Sequence, residues 1–179
     1  MTITAEEFKQ GMRMLCGGVT IVTTKHAGQA SGLTATAVCS LSAEPPRILA
    51  CINRGGTTYG MVSQSRRFCV NVLTADQAEL ASCFAGMLRI GTEDRFNYGE
   101  WTRLTTGSPV LEDALASFDC TVSSIMDTGS HAIIIGDIVE VQVSPGGDPL
   151  LYMDGQFSTR GPIPDNGAGK GGARSSSAA

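Results

Sequence analysis

Charge is scarce in this chain. Asp, Glu, Lys and Arg make up 17% of its 179 residues, against roughly a quarter in an average soluble protein. A surface so poor in charge suits a protein that buries part of it against another subunit, so an oligomer is expected. No basic cluster offsets the formal net charge of −4, which argues against nucleic acid as a partner. No apolar run approaches the ~18 residues of a membrane span. The opening MTITAEEFKQ carries acidic residues where a secretory signal would have an apolar core. A cytoplasmic protein without membrane attachment is the expectation. Only His26 and His131 are present, and the six cysteines (16, 39, 51, 69, 83 and 120) form no Cys-x-x-Cys pair. Metal ligation is therefore not expected, and the thiols read as small core residues. Gly-x-Ser-x-Gly is missing, the two histidines are far apart in sequence and the carboxylates are scattered. That leaves no Ser-His-Asp or paired-carboxylate mechanism to build.

What is present reads as one domain over residues 1–160. A helix over 4–16 has full start signals: Thr4 and Glu7 form a capping box, and Ile3 with Phe8 a hydrophobic staple. Phe8, Met12, Leu15 and Cys16 then share one face. Strands are predicted at 19–25, 32–41, 47–53 and 67–73, with a short helix near 57–64. Thr74 and Gln77 make a second capping box, for a helix that buries Leu80, Ala81 and Phe84 and stops at Gly86. Residues 87–99 lack a period and read as loop. Two long strands, 115–126 and 131–143, are expected to close a barrel around the turn Asp127-Thr128-Gly129-Ser130. In the second, Val139, Val141 and Val143 alternate with Glu140 and Gln142. Leu150-Leu151-Tyr152 reads as a last strand. The class is α+β, mostly β. Residues 161–179, rich in Gly and Ser, are expected to be a disordered tail.

The chemistry concentrates between Ser31 and Arg54. Thr34, Thr36, Ser40 and Ser42 recur with period two, which puts four hydroxyls on one face of a strand. Such a face is either a solvated sheet surface or a ligand site. The second strand runs through Cys51-Ile52-Asn53-Arg54 into Gly55-Gly56-Thr57-Thr58. Hydroxyls, glycine N–H groups and one guanidinium are the groups that hold a phosphate ester.

These blocks, with Gly18–Thr24, Phe68–Leu73, Phe84-Ala85-Gly86, Arg95-Phe96, Gly129-Ser130-His131 and Pro149–Tyr152, resemble the flavin reductase family over about residues 5 to 160. The resemblance implies a split β-barrel of six to seven strands, Greek-key-like, with short flanking helices. It implies hydride transfer from NADH or NADPH to FMN or FAD. It also implies a homodimer, and a partner flavin-dependent monooxygenase that receives the reduced flavin. By the same resemblance Thr34-Ala35-Thr36-Ala37 would present backbone N–H groups to the flavin ring, where donors stabilise the charge that reduction creates. Ser40, Ser42, Asn53, Arg54, Thr57 and Thr58 would hold the ribityl chain and phosphate, and Leu41 and Cys51 would also line the cofactor site. Phe68, Asn71, Phe84, Ala85 and Gly86 would wall the pocket, with Arg95 and Phe96 beside it. Asn71 is either a satisfied core amide or a ligand contact. Tyr152 covers the pocket or belongs to the core or a dimer interface. His131 would position the nicotinamide, bringing its C4 within about 3–3.5 Å of the flavin N5. Gly56 departs from the family pattern, which usually has a small or hydroxyl side chain there, and leaves a backbone N–H as the donor. The dinucleotide fingerprint Gly-x-Gly-x-x-Gly is absent, which fits a nucleotide that binds transiently. Two other readings stay open: a flavoprotein oxidase acting on a small substrate, and a non-catalytic flavin carrier or sensor.

Overall fold

The first helix begins where its capping signals say. A computed structural model describes residues 2–162; apart from Gly161 and Pro162, the predicted tail lies outside the described residues. Helix α1 spans Ala5–Arg13, with the Glu7 N–H donating to Thr4 Oγ1 at 3.2 Å and the Thr4 N–H donating to the Glu7 carboxylate at 2.8 Å. It is shorter than predicted and buries none of its residues. The expected staple and apolar face lie open, with Ile3 68% and Phe8 54% exposed, and Met12 and Leu15 likewise uncovered.

Strands β1 (Gly17–Gly18), β2 (Thr20–His26), β3 (Gln29–Ala35), β4 (Val38–Ala43) and β5 (Pro46–Asn53) follow. Helix α2 (Thr57–Ser65) and β6 (Arg67–Val72) come next, and a turn of 3-10 helix at Ala75–Gln77 takes the second capping box into α3 (Ala78–Phe84). A second 3-10 turn at Asp94–Asn97 interrupts the predicted loop, and the remaining strands are β7 (Trp101–Arg103), β8 (Pro109–Leu111), β9 (Ala116–Asp127), β10 (His131–Val143), β11 (Leu151–Met153) and β12 (Gln156–Ser158). The main sheet has seven antiparallel strands in the order β3-β2-β6-β9-β10-β5-β4. Small sheets β1-β11-β12 and β7-β8 flank it.

The predicted strand 32–41 is two strands. The chain breaks at Thr36–Ala37, and β3 and β4 take opposite edges of the sheet. Val38, the residue that falls out of step in the alternation, is the first after the break. Two connecting residues span at most ~11 Å from Ala35 to Val38, so the two edges converge there and the sheet is curled. Strands β9 and β10, expected to close a barrel, lie in the interior of the strand order, and the two edges meet elsewhere.

Both faces of the sheet centre are covered. Val22, Ile52, Val62, Phe68, Val70 and Ile134 form one apolar cluster, and Val19, Ile21, Leu73, Leu80, Phe84 and Leu111 form another. Strand β6 is covered on both faces: Phe68 and Val70 enter the first cluster, and Cys69 and Asn71, pointing the other way, are equally buried. The segment 104–112 lies over the second face and explains the fate of β10. Thr105 donates to Glu140, and Asp119 accepts from the Thr106 N–H at 2.6 Å and its hydroxyl at 2.5 Å. Burial still pushes the Asp119 carboxyl above its ordinary range. Val141 and Val143, paired with Phe118 and Ala116, take the opposite face, and with Val139 they are exposed. Of the six cysteines, Cys69, Cys83 and Cys120 are core residues, whereas Cys16 and Cys39 are exposed and Cys51 is half-buried.

Candidate active site

Strand β3 is the floor of a groove and fixes both of its walls. Ser31 Oγ and Thr58 Oγ1 share a buried hydrogen bond of 2.9 Å, tying β3 to the first turn of α2. Three residues along, Thr34 Oγ1 donates to the Ala81 carbonyl at 2.7 Å, tying the same strand to α3. Between them Gly32 leaves room for the Phe84 ring: a Cβ there would stand 2.8 Å from Phe84 Cε1. The start of α2 and the end of α3 thus face each other across β3. One part of the groove, about 510 Å³, lies between Gly55–Thr58 and Phe84, Ala85, Thr92 and Arg95. A second part of about 350 Å³ runs along Thr34–Ala37 past Cys51 to His131. Leu33, Asn53, Phe84 and Ala85 line both.

The first part is built to receive negative charge. Gly56 is the N-cap of α2 and offers no side chain, so no side-chain cap bonds the first turn. Its free N–H groups and the helix dipole favour an anion. Opposite, Arg95 Nη1 donates to the Phe84 carbonyl at 3.3 Å, while its Nε is buried without a partner. Gly86 ends α3 with a φ of +76° and turns the chain into the loop that carries Arg95. Phe84, Phe96 and Trp101 pin that loop, with ring centroids 5.0–5.5 Å apart.

The second part ends at His131. This residue opens β10 directly opposite Asn53 on β5. It is exposed, and its Nδ1 lies 2.9 Å from Ser130 Oγ. Asn53 Oδ1 accepts the Gly55 N–H at 2.8 Å and shapes the turn into α2.

This chain is matched over residues 12–161 by the model of the flavin reductase like domain. The chain belongs to the flavin reductase family. FMN reductase (NADH) RutF 2 of Rhizobium rhizogenes is 40% identical over 152 residues, covering 85% of this chain and 87% of that protein. Among solved structures, a flavin reductase domain protein from an Arthrobacter species is 31% identical with a TM-score of 0.81, covering 89% of this chain and 98% of its own. BorF, the flavin reductase component of a bacterial two-component tryptophan halogenase, is 30% identical with a TM-score of 0.80, covering 87% and 98%.

The fold sorts the residues that the family resemblance nominates. Thr34, Ala35, Thr36, Ala37, Cys51, Asn53, Thr57, Thr58, Phe84, Ala85, Arg95 and His131 line the groove. Within that set the Thr34 hydroxyl proton is engaged by the Ala81 carbonyl, and the Thr58 hydroxyl is already hydrogen-bonded to Ser31. Gly86 and Phe96 stand behind the wall. Ser40, Leu41 and Ser42 are elsewhere, because the break at Thr36–Ala37 carries them to the far sheet edge. Ser40 lines a separate apolar cleft with Val38 and Phe118, Leu41 is 46% exposed, and Ser42 Oγ donates to the Pro45 carbonyl at 2.6 Å. Asn71 is a core amide: its Nδ2 donates to the Ile21 carbonyl and Thr23 Oγ1, and its Oδ1 accepts from the Leu111 N–H and Ser117 Oγ. Tyr152 packs on Phe157 at 5.4 Å, in a cleft beside α1 and away from the groove. Arg54 lines neither part of the groove; its guanidinium is bound to the β9–β10 turn. Sequence reading passed over Gly32, Leu33 and Thr92. Gly32 had a readable signal, a glycine inside a strand, which often marks a close approach; Thr92 had none.

Proposed function

We propose that this flavin reductase transfers a hydride from NADH to FMN held in the groove on β3. The observation that carries the reading is the unmet polarity of one end of that groove. An uncapped α2 N-terminus faces a guanidinium whose buried Nε has no partner, and a phosphate satisfies both. Thr57 and the N–H groups of the first turn of α2 hold the phosphate, with Arg95 across from them. The small side chains of Thr34–Ala37 let backbone donors approach the ring edge where charge develops. Flavin bound in this way supplies the redox centre that accepts the hydride. His131 is exposed at the other end and positions the nicotinamide; hydride transfer asks no general base of it. NADH and FMN are favoured over their alternatives because relatives such as the Rhizobium rhizogenes protein carry those names.

The assembly follows the same family logic. The curl that brings β3 and β4 together supports a split β-barrel. The open apolar face of α1 and the exposed Val139, Val141 and Val143 support a homodimer. The likeness to BorF supports a separate enzyme as recipient of the reduced flavin, a flavin-dependent monooxygenase in our reading.

The test is NADH or NADPH oxidation followed at 340 nm with FMN, FAD or riboflavin added in turn. Oxidation that depends on added flavin, fastest with NADH and FMN, is expected. His131→Ala should raise the NADH KM about tenfold, a loss near 1.4 kcal/mol, and leave flavin affinity in place. A yellow protein that oxidises neither nucleotide would instead be a carrier or an oxidase.

A further inference from the structure

The Arg54 side chain makes three contacts, and none is with the groove. Nη1 donates to the Gly129 carbonyl at 3.0 Å, Nη2 pairs with Asp127 Oδ2 at 3.2 Å, and Cζ sits 5.7 Å over the Tyr59 ring. Tyr59 closes the triangle, its hydroxyl donating to Asp127 Oδ1 at 3.0 Å. The Arg54 backbone N–H also donates to the Ser130 carbonyl at 3.0 Å. Arg54 follows β5, Tyr59 belongs to the first turn of α2, and Asp127 and Gly129 form the β9–β10 turn that ends at His131. Thr128 ties that turn to His131 itself, its N–H and its hydroxyl both reaching the His131 carbonyl at 2.9 Å.

We propose that Arg54, Asp127 and Tyr59 form a clamp that sets where His131 stands over the groove. Arg54 is then a positioning residue for the nicotinamide nucleotide and not a ligand of the flavin phosphate. The guanidinium suits this work because its planar fork reaches a carboxylate and a carbonyl at once while its face rests on an aromatic ring. Without it, the turn is attached to α2 only through Tyr59 and Asp127. The inference rests on reading the groove as a hydride-transfer site, because only then does the placement of His131 affect nucleotide use.

The experiment compares Arg54→Gln, Asp127→Asn and the double variant with the wild type. Both singles should raise the NADH KM by about fivefold, the scale of a partly exposed ionic contact. The double variant should be no worse than either single, and FMN affinity should stay within about twofold of wild type in all three. A rise in FMN Kd for Arg54→Gln that Asp127→Asn does not share would make Arg54 a phosphate ligand and overturn the clamp. Amide hydrogen exchange supplies a readout that needs no turnover. The Thr128 and Arg54 amides should exchange about tenfold faster in both single variants. Unchanged protection in both would overturn the proposal even if the wild type proved inactive, an outcome that by itself would remove only the hydride-transfer reading.

Discussion

Asn71 shows how one residue can look like a ligand contact and be a structural centre. A polar amide in a strand of Phe, Cys and Val invites a functional role, yet its nitrogen donates to β2 and its oxygen accepts from β8, β9 and the Cys69 thiol, so it joins β2, β6, β8 and β9. Asn71→Ala leaves buried donors and an acceptor without partners. The expected loss is about 3 kcal/mol of stability, read as a lower midpoint in urea. The flavin Kd of the folded fraction should not change. The sequence could not decide this residue because the group that satisfies its oxygen, the Leu111 N–H, lies forty positions away. Arg54, which the resemblance assigned to the phosphate, was hard to read for the same reason: the partners it has arrive from a turn more than seventy residues downstream. Residues whose work is local were easier to read. Thr4 with Glu7, Thr74 with Gln77 and the turn at Gly129 all depend on neighbours a few positions apart, and all are where their spacing puts them.

At the scale of elements, the site is a consequence of how β3 is made. A strand with Ser31, Gly32 and Thr34 in succession bonds one helix, admits the ring of another, and then bonds that second helix. Gly32→Ala is the sharpest probe of this design. The added methyl meets a Phe84 ring already held by Phe96 and Trp101, so the ring cannot simply swing aside. The variant should lose about 1–3 kcal/mol of stability and bind FMN more weakly, because the wall at Phe84 and Ala85 shifts with the ring. A denaturant midpoint and a flavin titration measure the two effects separately. The existence of most strands and helices was legible, since apolar periodicity and caps act within each element. The break at Thr36–Ala37 was not. Alternating small residues continue almost smoothly across it, and only the slip at Val38 betrays that Ser40 and Ser42 leave the face that holds Thr34. That single break explains why the first half of the hydroxyl stretch reaches the groove and the second half does not.

For the whole molecule, low charge and uncovered apolar side chains tell a consistent story. The open face of α1 and the valines at the end of β10 are large apolar groups in contact with solvent, an arrangement that association relieves. Light scattering should give a mass about twice that of the single chain, as a closed two-fold pair requires. Phe8→Glu or Val141→Glu should shift the population to monomer, because a charge at a closed apolar interface loses its hydration. The curl of the main sheet has a separate consequence for solubility. Strands β3 and β4 are the two margins of a seven-stranded sheet, and their sequences, QASGLTA and VCSLSA, contain no charged residue and no proline. Margins of that composition would ordinarily recruit strands from other molecules. Here the two-residue step at Thr36–Ala37 draws the margins toward each other where they join, so the chain's own connectivity guards against fibrous association in place of the usual lysines.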